Sequence, residues 1–510
     1  MSVSLAHSAQ VHLLEATSVL VEVDISGGLY AFSIVGLPDK AVEEARDRVS
    51  AALKNSGYTS PKQENHKVVV SLAPAHSKKE GSVFDCAIAI AYLTANEDIS
   101  APLDSTLIAG ELSLDGSTRQ ITGTLSLARH AKDKGFKQLY VPRENAAEAA
   151  LISGIDVYGV GNLTELIGLL TGEIKRDPEP SPELSRHKPP RPTIDMAEVH
   201  GQESAKRGLE IAAAGGHNAA MSGPPGTGKT MLAQAFRSLL PPPDFNESLE
   251  ITAIHSVAGE LTDGPLIQER PFRSPHHTSS YTALIGGGTI PKPGEITLAH
   301  KGVLFLDEFP EFDRRVMESL RQPLENRSIT VARTSGHATF PANFILIAAM
   351  NPCPCGNYGT EGKVCRCSPY QLSRYEQRLS GPIVDRIDVW LTVADVDHSK
   401  LTDYSAPSES TLSIQKRIKK ARSMARKRIN QNNSNIHTND ELSSKEIIET
   451  GNFSSEAHTT LTKTAVYHNL SARSFYKVAR VARTIADLEE SNEVQAKHVF
   501  EAVTYRPQTQ

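Results

Sequence analysis

The sequence predicts an α/β protein: a parallel β-sheet core covered by helices, followed by a helical domain and preceded by a mixed α/β domain. Three observations carry this prediction. Continuously apolar runs at 303–306 and 344–348 are typical of strands buried on both faces of a parallel sheet. A glycine-rich loop stands between a strand-like run at 218–222 and a helical run at 229–240. From about residue 411 onward the pattern is helical.

Length and composition fit a soluble globular protein of several domains. The chain has 510 residues, of which 39% are hydrophobic and 22% charged, and a chain of this length predicts about two to four domains. No apolar run reaches the roughly 18 residues that a spanning helix needs. The N-terminus lacks the basic and apolar segments of a secretory signal. We therefore expect a cytoplasmic protein without a membrane partner.

The N-terminal part alternates strand-like and helix-like segments, as a mixed α/β domain does. Strand-like runs lie at 19–23, 68–72 and 106–110, and helical spacing occupies 38–56 and 82–94. Six prolines at 173–192 then predict a stiff linker. The expected division is an N-terminal domain at 1–172, the linker at 173–192, a core at 193–400 with a cysteine loop at 353–367, and a helical lid at 401–510.

Net charge does not exclude a nucleic-acid partner. The whole chain carries −5, but its last part is positive, with eight lysines and arginines between 416 and 428. A local basic surface can bind phosphates whatever the charge of the whole chain. The same segment also fits a solvated face of a helix that packs on the core.

The glycine-rich loop matches the phosphate-binding pattern G-x-x-x-x-G-K-T in full, between a strand and a helix. Its glycines let backbone N–H groups surround phosphates, and the helix N-terminus adds a favourable dipole. We expect Lys229 to reach the β and γ phosphates of ATP and Thr230 to hold Mg²⁺. The residues of the loop are Gly223, Pro224, Pro225, Gly226, Thr227, Gly228, Lys229 and Thr230.

Polar residues follow the two apolar strands. Asp307 and Glu308 end the first, where Asp307 would hold Mg²⁺ and Glu308 would activate the attacking water. Asn351 ends the second and could position that water, although an amide there also fits a simple turn cap. Arg386 and Arg473 could each contact a γ-phosphate, but surface arginines fit the same spacing.

Four cysteines form a compact cluster: Cys353, Cys355, Cys365 and Cys367. Four thiolates can close a tetrahedral zinc site beside Asn351. Reduced thiols without metal and disulfides are the alternatives. The fifth cysteine, Cys86, lies in an apolar helical run and reads as a core residue.

The order of these motifs resembles the magnesium-chelatase-like branch of AAA+ ATPases, and more closely the ComM/YifB family. The closer match rests on VHGQESAKRGLEIAAAGGHN, FRSPHHTSSYTALIGGG and NPCPCG and extends over residues 1–508. The resemblance implies that Asn351 is a sensor-1 residue, Arg386 an arginine finger for the neighbouring subunit, and Arg473 the sensor-2 arginine of the lid. It also implies that His200 and Gln202 line the adenine site.

The resemblance further implies a hexameric ring that drives DNA branch migration during recombination and natural transformation. Single-stranded, duplex or branched DNA would be the partner, with a recombinase as a further candidate. Two inserts could reach DNA in a central pore. Residues 273–292 contain His276, His277 and Lys292, and the predicted β-hairpin at 329–341 contains Arg333 and His337. An ordinary exposed hairpin explains the second insert almost as well.

The N-terminal domain resembles the Lon-protease (ribosomal S5 domain 2-like) fold. Val83 occupies the position of the nucleophilic serine and Leu125 that of the catalytic lysine. These side chains cannot form a Ser–Lys dyad, so we expect a scaffold without peptidase activity. Three alternative functions remain: a chelatase subunit that inserts Mg²⁺ into a tetrapyrrole, an ATP-dependent protease, and a nucleotide-gated scaffold that does not translocate DNA.

Overall fold

The computed structural model describes residues 3–182, 194–261, 264–288, 292–333, 336–360, 363–379, 381–395, 409–430 and 436–507. The chain divides into two compact units. Unit 1 comprises Met1–His187 and Ser248–Ile267, and unit 2 comprises Lys188–Glu247 and Gln268–Gln510. Of the predicted linker, residues 183–192 lie outside the described residues.

Unit 1 is a mixed α/β unit built on a seven-stranded sheet in the order β3-β4-β2-β1-β5-β8-β9. Its strands are β1 (Val3–His12), β2 (Glu15–Gly27), β3 (Ala31–Val35), β4 (His66–Ala73), β5 (Thr106–Ile108), β6 (Glu111–Leu112), β7 (Thr118–Arg119), β8 (Gln138–Pro142) and β9 (Asp156–Val160). Its helices are α1 (Lys40–Glu43), α2 (Ala45–Asn55), α3 (Asp85–Ala95), α4 (Thr124–Asp133), α5 (Arg143–Ala149) and α6 (Leu163–Thr171). In β2, buried Val19, Val21 and Val23 alternate with more exposed neighbours, so one face of the strand enters the core.

Unit 2 contains a five-stranded sheet in the order β11-β14-β17-β10-β18, in which every pairing is parallel. The strands of the unit are β10 (Ala219–Ser222), β11 (Phe272–Arg273), β12 (Gly286–Gly287), β13 (Lys292–Pro293), β14 (Val303–Leu306), β15 (Ser328–Arg333), β16 (Gly336–Pro341), β17 (Ile345–Met350) and β18 (Val389–Thr392). Ser222 pairs with Met350 and Leu306 with Ala348, so the loops after these strands start from one edge of the sheet. This register confirms the predicted buried parallel sheet.

Helices surround this sheet and continue beyond it. The first group is α7 (Glu203–Gly215), α8 (Lys229–Leu239), α9 (Phe245–Ala258), α10 (Tyr281–Ile285), α11 (Glu295–Leu298), α12 (Arg314–Ser319), α13 (Arg321–Asn326), α14 (Pro369–Glu376) and α15 (Gly381–Val384). The second is α16 (Thr411–Asn430), α17 (Ser444–Thr450), α18 (Ser455–Tyr467), α19 (Ala472–Leu488) and α20 (Ala496–Thr504). In α16, buried Ile414, Ile418 and Ala421 lie on one face and join the same hydrophobic core as the sheet.

Residues 248–267 belong to unit 1, although the sequence-based division assigned them to the core at 193–400. Leu249, Ala253 and Leu266 pack with unit 1 side chains in one hydrophobic cluster. Ser256 Oγ donates to Glu148 Oε1 at 2.5 Å, and burial raises the pKa of that carboxyl group. Helix α9 has buried residues on all sides. Its hydrophobic pattern therefore does not indicate which unit it packs against.

No helix in the described part of the chain combines the length and the apolar composition needed to cross a membrane.

Candidate nucleotide-binding site

The phosphate-binding loop leaves the carboxyl edge of the unit 2 sheet after β10 and ends where α8 begins at Lys229. Gly226 and Gly228 have φ angles of +83° and +85°. This left-handed region strongly favours glycine, which explains why the pattern has glycine at both positions.

Lys229 is buried within the loop. Its Nζ donates to the carbonyl oxygens of Gly223 and Pro224, both at 2.7 Å, and to Asn351 Oδ1 at 3.2 Å. Burial lowers the pKa of this amine, while Asp307 acts in the opposite direction. None of its three partners carries a formal charge, so phosphate oxygens would be stronger partners for this ammonium group.

The two oxygens expected to hold Mg²⁺ are adjacent. Thr230 Oγ1 donates to Asp307 Oδ2 at 3.0 Å, and the two side chains come from the first turn of α8 and the end of β14. Hydroxyl and carboxylate oxygens are the ligand types that Mg²⁺ prefers. The pair therefore fits a magnesium ion that also binds the substrate phosphates.

Glu308 has a left-handed backbone conformation, with φ at +51°. Its carboxylate pairs with His277, whose Nδ1 lies 2.9 Å from Oε2, and the ring of His276 lies 4.2 Å from that of His277. A non-glycine residue in this conformation costs about 1 kcal/mol or more. From the sequence both histidines are candidates for nucleic-acid binding, and no local pattern indicates that His277 contacts Glu308.

The segment expected to line the adenine site lies beside the same edge. Gln202 Nε2 donates to the carbonyl oxygen of Ala394 at 2.6 Å. The neighbouring Val393 donates its N–H to Ser222 O at 2.8 Å, just before the phosphate-binding loop. His200, two residues before Gln202, is half-buried. An adenine held by these residues would thus lie next to the loop that surrounds its phosphates.

Arg386 and Arg473 lie together, but away from the phosphate-binding loop. Both guanidinium groups pair with Glu325, Arg386 at 2.5 Å. The hydrogen bond from Arg386 lowers the pKa of Glu325. The three side chains line a cavity of about 580 Å³, and no residue of the loop lines it. Glu325 was not anticipated, because its role depends only on proximity in the folded chain.

Further bonds tie the Arg386 segment to the C-terminal helices. Lys477, in α19, forms a buried ion pair with Asp388. Arg506 donates to the carbonyl oxygen of Ile387 at 3.1 Å. A shift of α19 would therefore be transmitted to the backbone next to Arg386.

The four clustered cysteines converge as a zinc site requires. Cys353 Sγ lies 3.4 Å from Cys355 Sγ and 3.8 Å from Cys365 Sγ, and the four sulfurs, including that of Cys367, lie within 4.8 Å of one another. Tetrahedral thiolates with Zn–S bonds of about 2.3 Å lie roughly 3.8 Å apart, whereas a disulfide needs about 2.05 Å. All the cysteines are free, so the geometry fits zinc and not the disulfide alternative.

The cysteine loop also packs on the phosphate-binding loop. Gly356 has φ at +79°, and a Cβ atom there would lie 2.6 Å from Pro225 Cδ. Tyr375 Oη donates to the carbonyl oxygen of Asn351 at 3.0 Å. Loss of order in the cysteine loop would therefore disturb both the ATP loop and Asn351.

We expect purified protein to contain about one zinc ion per chain, because four converging thiolates can bind zinc tightly at neutral pH. Cys353→Ser should remove this zinc and lower the thermal midpoint. The control is Cys86→Ala, which removes a buried thiol far from the cluster in sequence and should leave zinc content unchanged. Elemental analysis of the three proteins makes the comparison, and wild-type protein with much less than one zinc per chain contradicts the prediction.

Both candidate DNA inserts contain β-hairpins. β15 and β16 are antiparallel, and Arg333 at the end of β15 pairs with Gly336 at the start of β16. This confirms the predicted hairpin; the side chains of Arg333 and His337 lie outside the described part. In the other insert β12 pairs with β13, where Lys292 is exposed. Arg273, at its start, is held by Glu295 at 2.6 Å.

The positions that resemble a peptidase dyad hold no such dyad. Leu125 is fully buried and Val83 is half-buried against the core. Ser82 donates to Glu111, and Lys79 Nζ donates to Ser77 O at 2.8 Å. Among the described residues, no lysine is hydrogen-bonded to Ser82. The scaffold role without peptidase activity stays a prediction.

Comparison with known proteins yields three family matches that together span most of the chain. Residues 195–401 match "Magnesium chelatase, subunit ChlI", residues 21–145 match "Subunit ChlI of Mg-chelatase", and residues 408–506 match "Magnesium chelatase, subunit ChlI C-terminal". The matched ranges include the phosphate-binding loop and both arginines that pair with Glu325.

Individual relatives match over nearly their full length. The chain is 43% identical to the uncharacterized protein YifB of Escherichia coli over 508 residues, which cover 99% of this chain and 97% of that protein. It is 39% identical to competence protein ComM of Haemophilus influenzae over 510 residues, covering 99% and 98%. The magnesium-chelatase 67 kDa subunit of Heliobacterium mobile is 28% identical over 31% of this chain and 28% of its own length.

Proposed function

This chain belongs to the ComM/YifB family of magnesium-chelatase-like AAA+ proteins, and from that membership we propose that it is an ATP-driven ring motor that promotes DNA branch migration during recombination. The phosphate-binding loop supports the proposed ATP hydrolysis. Lys229 donates to a carbonyl oxygen of this loop, and Thr230 donates to Asp307. The name of the competence protein supports the recombination part.

The residues of one subunit would bind ATP and activate water. Lys229 would exchange its carbonyl partners for the β and γ phosphates. Thr230 and Asp307 would hold Mg²⁺, which when bound neutralises part of the phosphate charge. Glu308 would accept the proton of the attacking water. It must first leave His277, so we propose that His277 holds Glu308 away from water until substrate and neighbour are in place.

The arginines would complete the site of the next subunit. Arg386 and Arg473 share Glu325, and neither contacts the loop of its own chain among the described residues. We propose that both face the γ-phosphate bound by the neighbour, where guanidinium groups stabilise the charge of the transition state. Such a site forms only between subunits, and this arrangement supports a closed ring, a hexamer in our proposal.

DNA would be held in the centre of the ring by the hairpins, chiefly that of β15 and β16. Because every subunit of the ring would contribute the same DNA contacts, each chain needs only a few basic residues. The negative net charge of −5 is compatible with this. The test is ATP hydrolysis measured without DNA and with single-stranded, duplex and branched DNA at equal nucleotide concentration. We expect DNA to stimulate hydrolysis. Equal rates in all four conditions contradict the motor and favour the chelatase or scaffold alternatives.

Arg333→Ala is expected to weaken DNA binding and to reduce its salt dependence by about one counterion per lost phosphate contact. Basal ATP hydrolysis should not change, because the hairpin lies outside the ATP site. The matched control is Arg315→Ala, which removes an exposed arginine of α12. Binding titrations across a salt series make the comparison, and equal affinity for Arg333→Ala and wild type removes this hairpin from the proposal.

A further inference from the structure

A second cavity, of about 460 Å³, opens at the opposite edge of the unit 2 sheet. Its walls include Asn218, Gly302 and Ile345, which lie at the amino ends of β10, β14 and β17. The phosphate-binding loop follows the carboxyl end of β10, and none of its residues lines this cavity. The cavity adjoins the one that Arg386 and Arg473 line, because both are lined by Asn218, Leu324, Arg327, Asp440 and Glu441. Its volume is in the range of pockets that bind small molecules, roughly 300–1,000 Å³.

One face of α16 forms the basic wall of the cavity. The lining residues of this helix are Lys419, Arg422, Ser423, Arg426 and Lys427. These residues are three or four positions apart along the helix, so their side chains lie on one side of it. The buried apolar residues of α16, such as Ile414 and Ile418, lie on a different stripe of the helix.

The core side of the cavity is already electrically balanced. The lining of the cavity contains seven lysines and arginines in total but only four carboxylates. Arg270 pairs with Glu247 at 2.7 Å. Arg327 pairs with Asp440 at 3.2 Å and with Glu441 at 3.0 Å. These pairs use three of the four carboxylates, and the excess positive charge is therefore concentrated on α16.

Three cations of α16 lack such partners. Among the described residues, no carboxylate lies within ion-pair distance of Lys419, Arg422 or Lys427. In the described part of the chain, the guanidinium group of Arg422 donates to the carbonyl oxygen of Ala213, at 2.6 and 3.1 Å. Burial, with a contribution from nearby Arg270, lowers the pKa of Arg422 to about 9. A half-buried guanidinium without an anionic partner is costly, and a bound anion would offset that cost.

Part of the remaining wall is apolar and is formed by Leu240, Pro241, Pro242, Leu324 and Phe344. A ligand that matches both walls needs an anionic end and a flat, less polar body. We propose that this cavity binds a phosphorylated small molecule of mononucleotide size. Its phosphate would lie against Lys419, Arg422 and Lys427, and its ring would lie against Phe344 and the prolines. This inference does not depend on the proposed motor function.

A mononucleotide, and not a nucleic acid, is the occupant that the volume favours. Duplex DNA is far wider than a cavity of 460 Å³, so a duplex could only pass over the opening without meeting Phe344, which is almost fully buried. A phosphate monoester with an attached ring, by contrast, would use both the cationic and the apolar wall.

The test uses the full-length protein loaded with one equivalent of ADP and Mg²⁺ per chain, which fills the ATP site and leaves no excess ADP to compete for the cavity. AMP, GMP, ribose 5-phosphate and inorganic phosphate are then titrated by calorimetry. Two double variants are compared: Lys419→Gln with Lys427→Gln, which alters the cavity, and Lys416→Gln with Lys420→Gln, which removes the same charge from α16 outside the cavity. Both pairs lie at exposed positions, so neither should prevent folding.

We expect AMP or GMP to bind at one site per chain, more tightly than ribose 5-phosphate or phosphate. Affinity should fall about tenfold or more in the cavity variant, since two charge-assisted contacts are lost, and should not change in the control variant. Equal losses in both variants, or no binding of any probe, overturn the proposal. A single-stranded oligonucleotide is titrated in the same way, and an affinity loss in the cavity variant that appears with the oligonucleotide alone also overturns the proposal. Because ADP fills the ATP site throughout, Lys229→Ala separately reports on the proposed ATPase.

Discussion

Lys229→Ala is expected to lower ATP hydrolysis by at least about 100-fold, which is the effect of removing one charged contact to a developing transition state. The ammonium group lies inside the phosphate-binding loop and is held only by two carbonyl oxygens and Asn351. Among the described residues Lys229 forms no ion pair, so we expect the fold to persist when its side chain is removed. The measurement is steady-state phosphate release, with the thermal midpoint as the check on folding.

The control for this prediction is Lys420→Ala, which removes an exposed lysine of α16 that pairs with Glu490 at 2.8 Å. A surface pair of this kind contributes about 1 kcal/mol or less, and hydrolysis should remain at the wild-type rate. Wild-type turnover by Lys229→Ala would remove the assignment of the loop as the ATP site.

Arg386→Ala is expected to lower hydrolysis by about 1,000-fold, in the range reported for arginine fingers, while ATP binding remains. Its side chain is 6% exposed and pairs with Glu325, and it does not contact the loop of its own chain among the described residues. The substitution also leaves Arg473 to neutralise Glu325. Turnover and nucleotide affinity are measured on the same preparation.

A mixing experiment then tests whether Arg386 acts on the neighbour. Subunits with Lys229→Ala retain Arg386, and subunits with Arg386→Ala retain the loop. If the site forms between subunits, a mixture regains hydrolysis well above that of either variant alone. A mixture as inactive as its components would show that Arg386 acts within its own chain or only on folding.

Much of unit 2 could be predicted from the sequence because its signals are local. β14 coincides with the apolar run at 303–306, and β17 begins within one residue of the predicted strand. Such runs follow directly from burial on both faces. The phosphate-binding loop is also contiguous, so its geometry could be expected from eight consecutive residues.

β1 could not be predicted in the same way. It buries small or polar side chains, Ser4, Ala6, Ser8 and Ala9, which give little hydrophobic alternation. Its position depends on pairing with β2 and β5. Propensity alone does not specify a strand whose stability comes from its neighbours.

The contacts around the candidate site were the least predictable part. Glu325, which holds Arg386 and Arg473, and His277, which holds Glu308, come from segments distant in sequence. No local pattern indicates which carboxylate will meet which arginine after folding. The sequence does indicate which residue types could bind phosphate or metal. The spacing of the four cysteines predicted that their sulfurs would lie close together, as they do.

The most direct test of the account is strand exchange on a labelled four-way DNA junction. We predict that wild-type protein, with ATP and Mg²⁺, converts the junction into two duplexes by branch migration without cutting a strand. We predict that Lys229→Ala and Arg386→Ala do not. An intact junction in the presence of wild-type protein that hydrolyses ATP at its full rate would contradict the proposed motor.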